Sequence, residues 1–372
     1  MLRKTICLLT LVSATLLIGG CVPPATGLAT NQQSRIGKEP EIAALLDRID
    51  AVLERNRTGR MLDVEVNGAW QILHGILAYG DDCPLLVDGQ VHPSALRYLL
   101  EGGPIMGFEP FVGHTFEVPG QNGEIQNRPG LVTVLAPVEK IGQGHTDQWL
   151  AVLSQCDLSP DDTIQTAVGT FTMADWVRQV GWDVPRNPYH EYSWTVIAMA
   201  NFLQSSDDWQ AVDGQVYDLE SLVNAELSQS LSDSACGGTH RLVGIATALQ
   251  RHQRDGGAMT PTWQSADAAI QQAIQQARQY QNADGSFSST YLHRPGLTND
   301  LSAVLATSGH TMEFVATAAG DDEIREPWVL RAADRLCTVL QLTQDLDLEC
   351  GDLYHALHGL VVLRDRLRNQ AS

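Results

Sequence analysis

Six histidines recur along the chain at positions where acid–base chemistry can be organised. They are His74, His145, His190, His240, His310 and His355. Each lies in a segment rich in small and apolar residues. Imidazole changes charge near neutral pH, so it suits general acid–base catalysis when a carboxylate orients it. One histidine in each repeated segment predicts that folding brings the imidazoles together.

Carboxylates accompany several of these histidines. Glu313 follows His310 by three positions, which places the two side chains on one helical face. His240 and His310 follow the glycines Gly238 and Gly309, and we expect both to begin helices, with His240 and His310 as the central pair and Glu313 beside them. The predicted catalytic residues are His190, Glu191, His240, His310, Glu313 and His355. The alternative is that the histidines cap and cross-link helices without catalysing any reaction.

A metal site is a second interpretation of the same residues. Cys236 and His240 are separated by three residues, and His310 or His355 would supply a third ligand. However, no C-x-x-C motif is present and the Cys–His spacing does not repeat. We therefore expect a buried thiol at Cys236 and no metal or other cofactor.

Two kinds of helical segment alternate along the chain. Amphipathic segments lie near 41–57, 92–101, 172–181, 219–230, 264–281 and 328–342. More apolar segments, each containing or directly following one of the six histidines, lie near 69–77, 146–156, 190–204, 239–250, 309–319 and 352–366. A helix that is apolar all round is buried, whereas an amphipathic helix covers it. Six such pairs predict an all-α (α/α)6 toroid with the histidines on one rim, or alternatively an open α-solenoid.

Short hairpins are expected before some of the outer helices. Asp88-Gly89 and Asp213-Gly214 stand between apolar residues, which is a tight-turn signal, and Val168-Gly169 is a weaker copy. Residues 104–138 fit neither kind of helix, and we expect a long loop with short strands there.

The N-terminus predicts export and lipid attachment. Arg3 and Lys4 precede an apolar run that ends in Leu17-Ile18-Gly19-Gly20-Cys21. The run is short for a membrane span and is typical of a secretory signal. Its end resembles a bacterial lipobox, which implies lipidation of Cys21 and an outer-membrane, periplasm-facing protein. We assign residues 1–20 to the signal, 21–39 to a flexible tether and 40–372 to the toroid domain.

Composition excludes some partners. The chain has 24 Lys and Arg against 44 Asp and Glu, a net charge of −20. Such an acidic chain does not follow a phosphate backbone, so we expect no nucleic-acid partner. The expected partners are the membrane, through the lipid on Cys21, and a small-molecule or saccharide ligand.

Local motifs add three resemblances. Gln281-Asn282-Ala283-Asp284-Gly285-Ser286-Phe287 resembles the repeat turn of squalene cyclases and prenyltransferases, the terpenoid cyclase-like toroids. Gly309-His310-Thr311-Met312-Glu313-Phe314 resembles a segment of sugar 2-epimerases, another toroid family. The C-terminal half also resembles exported proteins of unknown activity from planctomycete-type bacteria. The first two resemblances imply a toroid fold.

Three functions remain open at this point. The first is a lipid-anchored envelope enzyme that acts on a saccharide or similar polar metabolite by His/Glu acid–base chemistry. The second is a non-catalytic envelope lipoprotein that binds a ligand or protein. The third is a terpenoid-handling protein, which rests on likeness of fold alone.

Overall fold

A computed structural model describes residues 39–120, 122–135, 141–187 and 191–370 of the protein. These residues form twelve α-helices, in agreement with the helical periodicity of the sequence. The helices are α1 (Glu39–Gly59), α2 (Ala69–Tyr79), α3 (Ala95–Leu100), α4 (Gln148–Leu153), α5 (Met173–Asp183), α6 (Ser193–Phe202), α7 (Leu219–Leu227), α8 (Thr239–Arg254), α9 (Pro261–Gln279), α10 (Leu301–Ala318), α11 (Pro327–Leu342) and α12 (Cys350–Asn369). The predicted signal and lipidation site at Cys21 lie outside the described residues, as does His190. The mostly α-helical class is confirmed.

Burial separates the helices into two sets. The odd-numbered helices bury a stripe, as α1 does with Ile42, Leu45 and Ile49. The even-numbered helices are buried on most sides, and every residue of α6 from Ser193 to Ala200 is buried. We call these the outer and inner helices. Each inner helix contacts the next one along the chain, and α12 contacts α2.

Small antiparallel hairpins lead into three outer helices. The strands are β1 (Leu62–Asp63), β2 (Leu85–Val87), β3 (Gln90–His92), β4 (Pro110–Pro119), β5 (Ile125–Thr133), β6 (Thr163–Thr166), β7 (Gly169–Thr172), β8 (Asp208–Gln210) and β9 (Val216–Asp218). The pairs β2–β3, β6–β7 and β8–β9 precede α3, α5 and α7. Asp88 and Gly89 both adopt the left-handed conformation that a two-residue turn requires. The region 104–138 contains the longest hairpin, β4–β5, which contacts α5.

The start of α10 differs from the sequence-based expectation. The helix begins at Leu301, where the carboxylate of Asp300 accepts hydrogen bonds from the backbone N–H groups of Ser302 and Ala303. His310 therefore lies in the middle of α10, and the prediction that it begins a helix is wrong. Gly309 is required for packing instead, since a Cβ there would lie 2.7 Å from the Cβ of Ala356 on α12.

The described helices share one hydrophobic core, which extends from Ile42 on α1 to Leu367 on α12. Its aromatic members include Trp149, Trp176 and Trp263, all at most 1% exposed. Within the described residues, no helix combines the length and apolarity that crossing a membrane would require.

Candidate functional site

Histidines from five inner helices, or from the turns that lead into them, meet in one place. The closest rings are His310 and His355, whose centroids lie 4.4 Å apart, and His240 lies 4.8 Å from His355 and 5.1 Å from His310. His74 contacts His355 at 5.5 Å, and His145 contacts His240 at 5.8 Å. We call these five residues the histidine cluster. His74, His240, His310 and His355 are buried, whereas His145 remains partly exposed.

Two glycines bring α10 and α12 close enough to build the centre of this cluster. Gly309 packs on the backbone of Ala356, and a Cβ on Gly359 would lie 2.7 Å from the backbone nitrogen of Glu313. Any larger residue at either position would push the helices apart. The close approach places Glu313 between two turns of α12, opposite His355 and His358.

Glu313 accepts a hydrogen bond on each carboxylate oxygen. The Nδ1 atoms of His355 and His358 lie 2.8 and 2.6 Å from Oε2 and Oε1, respectively. Burial raises the pKa of the Glu313 carboxyl, but the attraction of His355 and the two hydrogen bonds outweigh burial and hold that pKa well below its usual value. Glu313 is therefore a buried anion that two imidazoles stabilise.

The hydrogen bonds of the other cluster members determine their tautomers. A carbonyl or carboxylate oxygen only accepts, so the imidazole nitrogen that faces it carries the proton. Nδ1 of His310 donates to Ala306 O at 2.8 Å, Nδ1 of His74 donates to Trp70 O at 2.6 Å, and Nδ1 of His145 donates to Glu191 at 3.0 Å. In the neutral imidazole, Nε2 then keeps a lone pair for a proton, ligand or metal.

His240 is the exception. It is 6% exposed, and neither of its ring nitrogens has a hydrogen-bond partner among the described residues. Burial, followed by repulsion from His355 and His310, holds the pKa of His240 well below its usual value. Burial and repulsion from His355 also lower the pKa of His310 to about 3. His240 and His310 are therefore neutral near physiological pH, and each keeps a lone pair on its ring.

Cys236 lies at the edge of the cluster in an unusual backbone conformation. Its φ is +50°, and Gly237 and Gly238 continue in the left-handed region at +64° and +80°. This turn leads directly into α8, whose second residue is His240. The ligand atoms of Cys236, His240 and His310 all lie within 4.8 Å of one another. No disulfide joins any of the five cysteines that the structure describes.

The structure brings together most of the predicted site residues but changes their pairing. His240, His310, His355 and Glu313 meet, and Glu191 joins them through His145. Glu313 does not hydrogen bond to His310, three positions away on its own helix, because the carboxylate faces α12 instead. His190, the sixth predicted catalytic residue, lies outside the described residues.

Sequence reasoning missed His358 as a site residue. Its signal was the His355-x2-His358 spacing, which puts two imidazoles on one face of α12. His358 also lines a surface cavity of about 730 Å³, together with Asp50, Glu54 and Asp365. It therefore connects Glu313 with the solvent side of the inner helices.

Asp147 lies two positions after His145 but is held by another residue. Its carboxylate accepts a hydrogen bond from the hydroxyl of Thr195 at 2.5 Å. Burial of the carboxyl group raises its pKa to about 7, and the Thr195 hydrogen bond opposes only part of that shift.

Comparisons with protein-family models, curated proteins and solved structures find no match to this chain.

Proposed function

We propose that this protein is an enzyme that acts on a small polar metabolite, such as a saccharide, by His/Glu acid–base chemistry in the histidine cluster. The observation that carries the proposal is the buried Glu313 carboxylate held between His355 and His358. In carboxylate–imidazole pairs of this kind, the carboxylate fixes the tautomer and orientation of the ring and stabilises the imidazolium that forms during proton transfer.

The proposed fold is a closed (α/α)6 toroid. Its support is the sequence of contacts from α2 through α12 and back to α2. In an open solenoid the first and last inner helices would not meet. A closed ring would place one histidine of each inner segment at the common centre.

The proposed roles follow from the hydrogen bonds. Glu313 fixes Nδ1–H of His355, so Nε2 of His355 acts as the general base. His358 binds the other oxygen of Glu313 and offers a route for the proton toward the surface cavity that it lines. The second pair, His145 with Glu191, is more exposed and acts as the acid nearer to solvent. His240 and His310 stay neutral and accept hydrogen bonds from ligand hydroxyl groups.

A saccharide suits the walls of the cluster. Trp194 contacts the rings of both His145 and His240, and aromatic faces of this kind pack against sugar rings. The buried indole N–H of Trp194 has no acceptor among the described residues, nor does that of Trp70. Each is an available donor for a ligand oxygen.

A substrate screen tests the proposal. The purified chain is incubated with mono- and oligosaccharides, and products are followed by NMR. We expect turnover that is lost in His355→Asn but kept in His252→Asn, because His252 is a buried histidine of α8 that packs on Trp263 outside the cluster. Turnover that survives His355→Asn would contradict the proposed base.

A non-catalytic binding protein is the second candidate. The imidazole rings of the cluster pack against one another at 4.4 to 5.8 Å, which favours a rigid, cross-linked centre. In that case, the NMR experiment would detect saccharide binding, with line broadening in the ligand, but no product.

We also propose that a lipid on Cys21 holds the protein at the outer membrane, facing the periplasm. The support is the sequence Leu17-Ile18-Gly19-Gly20-Cys21. Cys21→Ser should release the protein into the soluble fraction, and globomycin should block maturation of the unaltered chain. A Ser variant that is processed normally and stays with the membrane would contradict lipidation.

A further inference from the structure

We propose that Cys236, His240 and His310 bind a divalent transition-metal ion of the zinc type, with a fourth coordination position open toward the histidine cluster. This site shares His240 and His310 with the residues proposed to bind ligand hydroxyl groups, but it uses neither Glu313 nor His355, and its test does not depend on turnover.

The first support is geometric. The sulfur of Cys236 and one ring nitrogen each of His240 and His310 lie within 4.8 Å of one another. Tetrahedral zinc, with bonds of about 2.0–2.3 Å, requires ligand atoms roughly 3.3–3.8 Å apart. Side-chain rotations that close these separations by about 1 Å would complete the site.

The second support is the unpartnered imidazole of His240. A buried polar nitrogen without a partner destabilises the folded state, and His240 has two such nitrogens among the described residues. A metal ion bound to one ring nitrogen removes one of these costs. Hydrogen bonds within the described structure do not remove either.

The third support is the orientation of His310. Its Nδ1–H donates to Ala306 O at 2.8 Å, which leaves Nε2 as the electron-pair donor. Metal-binding histidines characteristically donate their other ring N–H to a carbonyl or carboxylate in this way. The carbonyl lies on the same helix, so the ring is held before any ion binds.

The fourth support is the backbone at Cys236. A non-glycine residue at φ +50° is strained, and the next two residues are left-handed glycines. A Cβ on Gly237 would lie 2.4 Å from the ring of Tyr291, so this turn accepts no larger residue. Strain of this kind is retained where it positions a functional side chain. Here it turns the thiol toward His240 and His310.

The ligand types indicate the class of ion. One thiolate and two imidazoles favour zinc and its neighbours in the first transition series over magnesium or calcium, which prefer oxygen. A second set of three, His240, Glu313 and His355, lies within the same distance limit. It is less suitable, because both carboxylate oxygens of Glu313 already accept hydrogen bonds from His355 and His358.

The test uses the purified chain after removal of metals with a chelator. Zn²⁺ is titrated calorimetrically, and Co²⁺ is added as a spectroscopic probe. We expect one ion per chain and a thiolate-to-cobalt charge-transfer band. Cys236→Ser should abolish the band and weaken Zn²⁺ binding at least about 10-fold. The matched control is Cys156→Ser, whose thiol donates to Val152 O, and it should change neither measurement.

Two further variants separate the two sets of ligands. His310→Gln should weaken Zn²⁺ binding as Cys236→Ser does, whereas Glu313→Gln should leave it within about 3-fold, with folding of each variant checked by circular dichroism. Absence of binding at micromolar Zn²⁺ would overturn the site, as would a charge-transfer band that persists in Cys236→Ser. A large loss in Glu313→Gln alone would also overturn it. Metal binding without any turnover would leave this site standing and contradict the proposed enzyme.

Discussion

Glu226 on α7 and Glu313 on α10 are both withdrawn from water, at 1% and 3% exposure, but they are held by partners of different chemistry. Glu226 accepts hydrogen bonds from the backbone N–H of Tyr192 at 2.8 Å and from the hydroxyl of Ser193 at 2.7 Å. The guanidinium of Arg241, itself 6% exposed, donates to it at 3.0 Å. This arrangement joins α6, α7 and α8.

Glu313 has two imidazoles in place of the guanidinium. Arginine keeps its proton at every physiological pH, so a guanidinium partner does not exchange protons with a ligand. Imidazole gains and loses a proton near neutrality, and a neutral ring also exchanges its proton between nitrogens. The comparison indicates that the first carboxylate stabilises a helix junction, whereas the second belongs to a centre that can perform chemistry.

Removal of the Glu226 charge should have the largest effect on stability. Glu226→Gln leaves the Arg241 cation buried without its counter-ion, and breaking a buried pair from one side costs about 3–5 kcal/mol. Urea unfolding should show that loss in the free energy of unfolding. A loss below about 1 kcal/mol would contradict the structural role and weaken the comparison.

Separation of α10 from α12 should have the next largest effect. Gly309→Ala places a methyl group 2.7–3.0 Å from the Cβ, Cα and backbone nitrogen of Ala356, so the helices must move apart. Overpacking of this kind costs about 1–3 kcal/mol. It should also disturb the Glu313 hydrogen bonds, seen as altered ring NMR signals of His355 and His358. Gly320→Ala, where nothing lies within 4 Å of the added carbon, is the control.

Glu313→Gln should cost less stability than Glu226→Gln. The glutamine oxygen can accept from one imidazole, and its NH₂ group can donate to the other after that ring changes tautomer. We expect a loss of about 1–2 kcal/mol, together with loss of turnover if the proposed function is correct. A loss as large as that in Glu226→Gln would make Glu313 a structural residue of the same kind.

Sequence predicted the helices well because each carries its own signal. The stripe Ile42, Leu45 and Ile49 is sufficient to predict α1, and the Asp88-Gly89 turn is sufficient to predict its hairpin. Local signals failed at α10, where Gly309 was interpreted as a helix start although its reason is a contact with α12. Gly309 packs on Ala356, which is distant in the sequence, and the hydrophobic periodicity of α10 carries no information about that contact.

The site was predictable in its members but not in its pairing. The recurrence of histidines indicated that His240, His310 and His355 would meet, because equivalent positions of repeated segments come together. The partners of Glu313 depend on the register of α10 against α12. Gly309 and Gly359 set this register, because each lets one helix pack directly on the backbone of the other. A one-dimensional pattern does not specify that register, so His358 was missed.

Substitution of Asp147 should change the free energy of unfolding least, and the pKa of this carboxyl is shifted in the opposite direction to that of Glu313. The pKa of Glu313 is lowered by charged or protonated partners, whereas Asp147 has a neutral hydroxyl beside it and burial raises its pKa from 3.8 to about 7. Between these two values the folded state holds a proton that the unfolded chain has released. Folding stability therefore falls as pH rises through this range, and becomes constant in this respect above about 7.

Asp147→Asn removes this titration while keeping the size of the side chain and its hydrogen bond to Thr195. Other groups titrate in the same range, so the informative quantity is the difference in the free energy of unfolding between the variant and the unaltered chain. That difference should rise in favour of the variant by about 1 kcal/mol from pH 4 to pH 7, an amount reduced by the partial exposure of this residue. Urea unfolding across this pH range measures it. A difference that falls with rising pH would mean that the fold stabilises the ionised Asp147, and that burial does not decide the charge of a carboxylate whose partner is neutral.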